Sequence, residues 1–396
     1  MNTVASPDSR LARNGLLTAG MRVLTIVVFA VVPLYLVGSL IHYEAVDRAT
    51  PLAFFDFHAF WGAGKAVLHG HSPYPPASES VLAHETAFVY PAPAAILMVP
   101  FALLPFKVAG TLFALILVAS IPLALRLLGV RDWRCYGLVL VSAPVANAVN
   151  VDAVSPLLLL GLALVWRYRD RVVPAACALA AVVALKLFLW PFLLWFAFTR
   201  RFVTALVATA LIAVVSLVSW AVIGFDGLRE YPDVLRALSH LLEGKGYTPV
   251  ALALALGAGR TVAQIVPWLI GGAILVLVGL RGRRPGADTW TFTVVLAAAF
   301  ALSPIAWLHY FILLFLPIAL IRPRLSWLWA LPLALWVVRG QSDQPLIWQH
   351  NPTFRDMALS PRIGAWPQIV FCLGCAAIVF ALTAWPRSPR SPEAPA

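Results

Sequence analysis

The chain has 396 residues, of which 61% are hydrophobic and 12% are charged. Soluble proteins carry about 25% charged residues, so this composition excludes an ordinary soluble fold. The mean hydropathy of +0.87 leaves most segments without a polar face for water. Because helices satisfy their backbone hydrogen bonds internally in lipid, we expect an all-α polytopic membrane protein.

The first long apolar run covers residues 23–41, follows Arg10, Arg13 and Arg22, and has no small-residue cleavage site. It is typical of a signal anchor whose tail, residues 1–22, stays in the cytoplasm. With the later runs it predicts one transmembrane domain over residues 23–385, about twelve crossings, and a second cytoplasmic tail over 386–396. The later runs are 107–125, 135–149, 153–166, 172–185, 187–199, 202–224, 261–280, 290–302, 305–321, 325–338 and 364–385.

Arginines recur after every second predicted crossing, which is the pattern of cytoplasmic loops. The net charge of +12 therefore orients the chain, and no nucleic-acid partner is expected. Twelve of the 17 acidic residues and all eight histidines fall on the opposite side, so we expect the chemistry on the extracytoplasmic side of a bacterial cell membrane. The inner arginines are Arg10, Arg13, Arg22, Arg126, Arg131, Arg134, Arg167, Arg169, Arg171, Arg200, Arg201, Arg281, Arg283, Arg284, Arg322, Arg324, Arg387 and Arg390.

Two outer loops, residues 42–90 and 225–247, are long enough to fold against the membrane surface. The second contains GLREYPDVLRALSHLLEGK, with Leu228, Tyr231, Leu235, Leu238 and Leu242 on one helical stripe. Such an amphipathic pattern predicts a juxtamembrane helix. Between the first loop and the next crossing, prolines 91, 93, 100 and 105 interrupt an apolar segment, which indicates a half-helix or a re-entrant piece.

Asp56 precedes a short helical pattern that ends near Gly70. One interpretation is a helix N-cap, a position that aspartate favours. The other is a general base, because Phe54, Phe55, Phe57 and Phe60 surround it and an apolar setting raises a carboxyl group's affinity for a proton.

Two further residues stand out in apolar surroundings. His309 lies in ALSPIAWLHYFILLF, and it is either a solvated or hydrogen-bonded interfacial histidine or a binding residue. Lys186 lies in VALKLFLWPF, where an isolated ammonium costs at least ~2.5 kcal/mol at a helix centre. It therefore marks a turn or faces a counter-ion such as phosphate.

The remaining polar motifs predict no metal and no cofactor. His69, His71 and His84 have the composition of a metal site, but HGH cannot place both imidazoles on one helical face. Cys135, Cys177, Cys372 and Cys375 all fall in apolar runs, which predicts buried, inert thiols.

Four segments occur in the order seen in glycosyltransferase family 87: DFHAFWGAGKAVLHGHSPY, FVYPAPAAILMVPFALLPF, Lys186 ahead of WPF, and SPIAWLHY. The chain resembles this family over residues 20–325. The family comprises polyprenol-phosphate-mannose-dependent mannosyltransferases of the GT-C type, so the resemblance implies a GT-C-like bundle, a catalytic aspartate at Asp56, and donor-phosphate binding by His309 and Lys186.

The resemblance and the residue patterns together predict transfer of a sugar, mannose, from a polyprenyl phosphate to a lipid or glycan acceptor, with inversion at the sugar. Lys65 is a further candidate for the donor phosphate. The aromatic residues expected to line the substrate cleft are Phe57, Trp61, Tyr74, Tyr90, Trp307 and Tyr310.

Two other functions fit a multi-pass chain. A lipid or glycolipid transporter or flippase would show internal repeats and paired charges at the membrane midplane, and the sequence has neither. A non-catalytic membrane scaffold would not concentrate acid, histidine and aromatic residues in its outer loops.

Overall fold

The computed structural model describes residues 18–43, 45, 54–78, 81–82, 87–284, 286–341 and 366–384. Over these residues the chain is helical and contains no strand. The described residues do not include residues 1–17 of the predicted N-terminal tail, the predicted C-terminal tail, His84 or parts of the 42–90 loop. Residues 18–22, which were predicted to belong to the N-terminal tail, instead form the start of the helix Thr18–His42.

Among the described residues, five helices are long and apolar enough to cross a membrane: α1 (Thr18–His42), α4 (Phe106–Leu127), α10 (Phe202–Val222), α13 (Arg260–Arg281) and α17 (Trp366–Ala384). They coincide with five of the predicted runs to within a few residues. The protein is therefore a multi-pass membrane protein. In the 18-residue apolar stretch of each helix, only 11% of the residues of α1 and 17% of those of α10 are buried inside the protein. Most of their side chains are therefore left to contact lipid.

Shorter helices fill the space between the long ones. Those of the first half are α2 (Phe55–Leu68), α3 (Ala92–Ala102), α5 (Trp133–Leu140), α6 (Ala143–Val151), α7 (Ser155–Arg167), α8 (Val172–Leu185) and α9 (Pro191–Phe198). Those of the second half are α11 (Tyr231–Leu242), α12 (Pro249–Ala255), α14 (Asp288–Leu302), α15 (Phe315–Ile321) and α16 (Trp336–Gln341). Three-residue-per-turn helices at Leu187–Leu189, Leu308–Leu314 and Trp327–Leu335 lead into α9, α15 and α16.

Several predicted crossings are broken in the structure. The run 135–149 divides into α5 and α6 at Ser142, because Pro144 lacks the N–H needed to continue a helix. Neither α6 nor α7 is long enough to cross a membrane alone. Together they are long enough, but the chain bends by 118° between them. The described residues therefore support five long spans, or six with this bent pair, and do not confirm twelve.

Asp152 forms the bend between α6 and α7. Its φ of 55° places it in the left-handed region, where the chain reverses direction after Val151. Aspartate tolerates this conformation better than most residues. The segment 91–105 is likewise a short helix, α3, which is about 16 Å long at ~1.5 Å per residue.

The second outer loop contains helix α11, and its buried residues include Leu238 and Leu242 of the predicted stripe. Val234, Leu238 and Leu242 are buried against Leu82. Leu228, which was predicted on the same stripe, precedes the helix and is exposed.

Three of the four cysteines are buried, as predicted, but the prediction is wrong for Cys177, which is exposed on α8. An exposed face of an apolar helix can contact lipid, so low polarity alone did not place this thiol inside the protein.

Three of the predicted cytoplasmic loops meet at one end of the bundle. Arg201 lies 2.7 Å from both Asp170 and Asp288, and Arg169 lies 3.1 Å from Asp288. Asp288 begins α14, whose 15 residues span about 22 Å. Because Ser303 and His309 follow the other end of α14, this ionic network and His309 lie at opposite ends of the bundle.

Candidate active site

Asp56 lies in the first turn of α2, at its second residue. The helix begins at Phe55, and Phe54 occupies the N-cap position with φ 54° and no side-chain capping bond. The N-cap interpretation of Asp56 is therefore wrong. The ring of Phe54 is fully buried against α4, where a Cβ added to Gly110 would lie 2.7 Å from it, and this contact fixes the start of α2.

Helix α2 packs tightly on α3. A Cβ added to Gly64 would lie 2.7 Å from the carbonyl oxygen of Met98 and 3.1 Å from Ala102 Cβ. Phe57 is fully buried on the same side and stacks on Phe113 of α4, with ring centroids 5.1 Å apart. The backbone of α2, and with it the position of Asp56, is thereby held by two neighbouring helices.

Lys186 lies at the break between α8 and the following turn, where its backbone is extended. Its Nζ donates a hydrogen bond to the hydroxyl of Tyr90 at 3.3 Å and lies 4.8 Å from the centre of that ring. On the other side Nζ lies 4.2 Å from the ring centre of Tyr310. The turn predicted for Lys186 is therefore confirmed, whereas its role in facing a phosphate stays a prediction.

The charge of Lys186 acts on Asp56. Burial raises the pKa of the Asp56 carboxyl to about 6, and the nearby Lys186 ammonium partly opposes this rise. Burial and the charge of Asp56 hold the pKa of Tyr90 well above its usual value, so this phenol stays neutral. A carboxylate with a pKa near the working pH suits general-base chemistry.

His309 joins the same group from the turn that precedes α15. It is buried, its ring centre lies 5.0 Å from that of Tyr310, and Nδ1 lies 3.3 Å from Oδ1 of Asn147 on α6. Its Nε2 is buried and has no hydrogen-bond partner in the part of the chain that the structure describes. We refer to Asp56, Tyr90, Lys186, His309 and Tyr310 as the aspartate–lysine cluster.

Asn147 is a site residue that the sequence interpretation missed. It sits in APVANAVNV, among small apolar residues, and it is buried. A buried amide needs hydrogen-bond partners, so a lone asparagine in such a run is the signal that could have identified it. Rotation of the amide would turn its NH₂ group toward Nδ1 of the neutral ring and leave the hydrogen on Nε2.

Three other predicted cleft residues, Trp61, Tyr74 and Trp307, are half-buried. The Tyr74 hydroxyl donates to the Tyr90 carbonyl at 3.0 Å, and its ring stacks on Trp220. Trp61 Nε1 donates to the Leu104 carbonyl at 3.2 Å. Trp307 is half-buried and packs against the apolar group formed by Leu82 and the buried face of α11.

Lys65 lies apart from the cluster. It is nine residues after Asp56 on α2, which is about 13 Å along the helix axis, and its ammonium lies 5.1 Å from the ring centre of Trp61. Within the described ranges, no group of three His, Cys, Asp or Glu side chains is arranged to hold a metal ion.

The sequence profile of glycosyltransferase family 87 matches residues 88–308, which is more than half of the chain. The chain belongs to glycosyltransferase family 87. This family 87 protein is therefore a membrane glycosyltransferase. The matched residues include Tyr90, Asn147 and Lys186, whereas Asp56 precedes them and His309 directly follows them. No curated protein and no solved structure matched the chain.

Proposed function

We propose that the protein transfers mannose from a polyprenyl phosphate to a lipid or glycan acceptor on the extracytoplasmic side of a bacterial cell membrane, with inversion of the anomeric configuration. The convergence of Asp56 and Lys186 with two tyrosines and a buried histidine carries this proposal. These residues come from four distant parts of the chain, and they supply a base and cationic or neutral donors within one cluster.

The acceptor hydroxyl attacks the anomeric carbon while Asp56 takes its proton. The new glycosidic C–O bond forms as the bond from the anomeric carbon to the phosphate oxygen breaks. The phosphate departs with the bonding electron pair, and Asp56 later releases its proton to water. A single displacement of this kind inverts the configuration.

Negative charge grows on the departing phosphate, so a cation placed beforehand stabilises the transition state. Lys186 supplies that charge from between the rings of Tyr90 and Tyr310. His309 contributes a second contact through Nε2, with Asn147 setting its orientation. Lys186 suits this role better than Lys65, because Lys65 lies apart from the cluster.

The direction of the site is supported by the position of the ionic network at the opposite end of the bundle. That network is built from arginines of predicted cytoplasmic loops. The clustered site residues then face the outer half of the membrane, where the bilayer itself and a lipid-linked donor are accessible.

The decisive experiment uses the purified full chain in detergent, with radiolabelled polyprenyl-phosphate-mannose and a membrane lipid extract. The wild type should form a labelled lipid or glycan product, and Asp56→Asn should lower the initial rate by about 10² to 10⁴. Asp226→Asn is the matched control, because Asp226 is exposed in the other outer loop and should retain the wild-type rate.

A transporter or flippase would yield no labelled product from wild-type protein. Product formation by Asp56→Asn at the rate of Asp226→Asn would show that Asp56 is not the base.

A further inference from the structure

The ionic network at the end opposite the aspartate–lysine cluster borders a cavity of about 370 Å³. This volume lies within the range of small-molecule sites, roughly 300–1,000 Å³. Its wall is formed by the ends of α7, α9 and α13 and the start of α14. We call it the arginine pocket, and its charged lining residues are Arg169, Arg200, Arg201, Arg283, Arg284 and Asp288.

The arginine pocket carries an excess of positive charge. Asp288 lines it, and Asp170 pairs with Arg201 from its edge, so five arginines face two carboxylates and three positive charges remain. The two aspartates fix Arg169 and Arg201 by direct hydrogen bonds. Arg169 also lies over the ring of Trp166, at 4.3 Å from its centre, and its guanidinium is therefore held in place before any ligand binds.

A topological role alone does not account for this arrangement. Cytoplasmic arginines orient a membrane protein wherever they lie in the inner loops, so that role does not require three loops to converge on one cavity. Arg200 also has φ 63° at the end of α9, a helix-end position where glycine is the preferred residue. An arginine held there in the left-handed region supplies a charge at the pocket at the expense of backbone stability.

From these observations we propose that the arginine pocket binds a phosphate group, supplied by the headgroup of an anionic lipid or by free phosphate. Guanidinium groups present several donors to phosphate oxygens in a fixed plane. Thr289 lines the same cavity, and its hydroxyl is a further neutral donor. This proposal is independent of the chemistry assigned to Asp56.

The experiment measures the thermal unfolding midpoint of the full chain in neutral detergent during titration with dioctanoyl phosphatidic acid, dioctanoyl phosphatidylcholine or inorganic phosphate. Phosphatidic acid should raise the midpoint of the wild type with a saturable dependence, and phosphatidylcholine should not. The double variant Arg200→Gly/Arg283→Ala should bind phosphatidic acid at least about tenfold more weakly.

Glycine suits the backbone at position 200, so the double variant should retain the unliganded midpoint of the wild type or exceed it. The matched control is Arg126→Ala/Arg131→Ala, which removes the same charge from exposed predicted cytoplasmic positions outside the pocket. It should bind phosphatidic acid as the wild type does.

Binding of phosphatidic acid alone, lost in the pocket variant, would identify a lipid headgroup as the source. Binding of both phosphate compounds, lost in the same variant, would identify the phosphate group itself as sufficient. The proposal is overturned if neither compound binds saturably, or if the pocket variant and the control lose affinity equally.

Discussion

Asp56 can act as a base only while it is ionised. Since burial raises its pKa to about 6, transfer should be fully active above that pH and should decline as pH falls through it. The ammonium of Lys186 lowers this pKa relative to burial alone. In Lys186→Met the pKa of Asp56 should therefore rise, and the acid limb of the profile of kcat/KM against pH should move to higher pH.

Lys65→Met is the control for this shift, because it removes an ammonium from the same helix at a position apart from the cluster. The acid limb of the Lys65→Met profile should lie at the same pH as that of the wild type. An acid limb that is unmoved in Lys186→Met would show that these two charges do not interact.

At the scale of single residues, the sequence singled out polar side chains that lie in apolar runs, where burying them without partners costs free energy. Asp56, Lys186 and His309 each interrupt an apolar run, and the structure places them together. Asn147 was missed because an amide carries no charge. Its contact with His309 also depends on the packing of α6 against the turn that carries the histidine. The N-cap interpretation of Asp56 failed because the helix starts at Phe55, two residues earlier than the spacing predicted.

The approach of α2 to α3 depends on a single glycine. Gly64→Ala would place Cβ 2.7 Å from the Met98 carbonyl, so the two helices must separate. Since a misplacement of about 1 Å can cost 10²-fold in rate, we expect transfer to fall by about 10- to 100-fold and the unfolding midpoint to fall as well.

Gly62→Ala provides a control on the same helix, because a Cβ there meets nothing within 4 Å. Alanine stabilises a helix interior by roughly 0.5–1 kcal/mol relative to glycine, so this variant should be fully active and slightly more stable. Equal activity of the two variants, measured in the transfer assay, would refute the importance of the α2–α3 contact.

At the scale of helices, the sequence predicted the long apolar runs and also some short ones, since the run 172–185 is helix α8 (Val172–Leu185). Residues 202–224 and 261–280 became α10 and α13 almost unchanged, because their composition and length leave one stable arrangement in lipid. The run 135–149 did not, since Pro144 divides it into α5 and α6. Whether such a piece crosses the bilayer depends on neighbours that shelter its ends.

At the scale of the whole molecule, the two ends should face opposite sides of the membrane. His71→Cys and Arg283→Cys, each in a variant with the four native cysteines replaced, place exposed thiols at the two ends. A membrane-impermeant maleimide should label His71→Cys in spheroplasts and Arg283→Cys only after lysis. Labelling of both thiols in intact spheroplasts, or the reverse order, would contradict the proposed orientation.

Three arginine loops that the sequence predicted on one side lie together in the structure, and that prediction needed only charge and order along the chain. The sequence did not predict that these loops surround a cavity. That arrangement depends on the packing of α7, α9, α13 and α14, and on the ion pairs of Asp288, which lies more than 80 residues from Arg201.

The distances along the chain within the aspartate–lysine cluster determine when it can form during synthesis. Asp56 lies near the beginning of the chain, and His309 follows it after more than half of the sequence. A nascent chain must therefore insert α4 and α10, and also α13, before the histidine reaches the carboxylate. A ribosome that stops before residue 309 therefore leaves an inserted protein without a complete cluster.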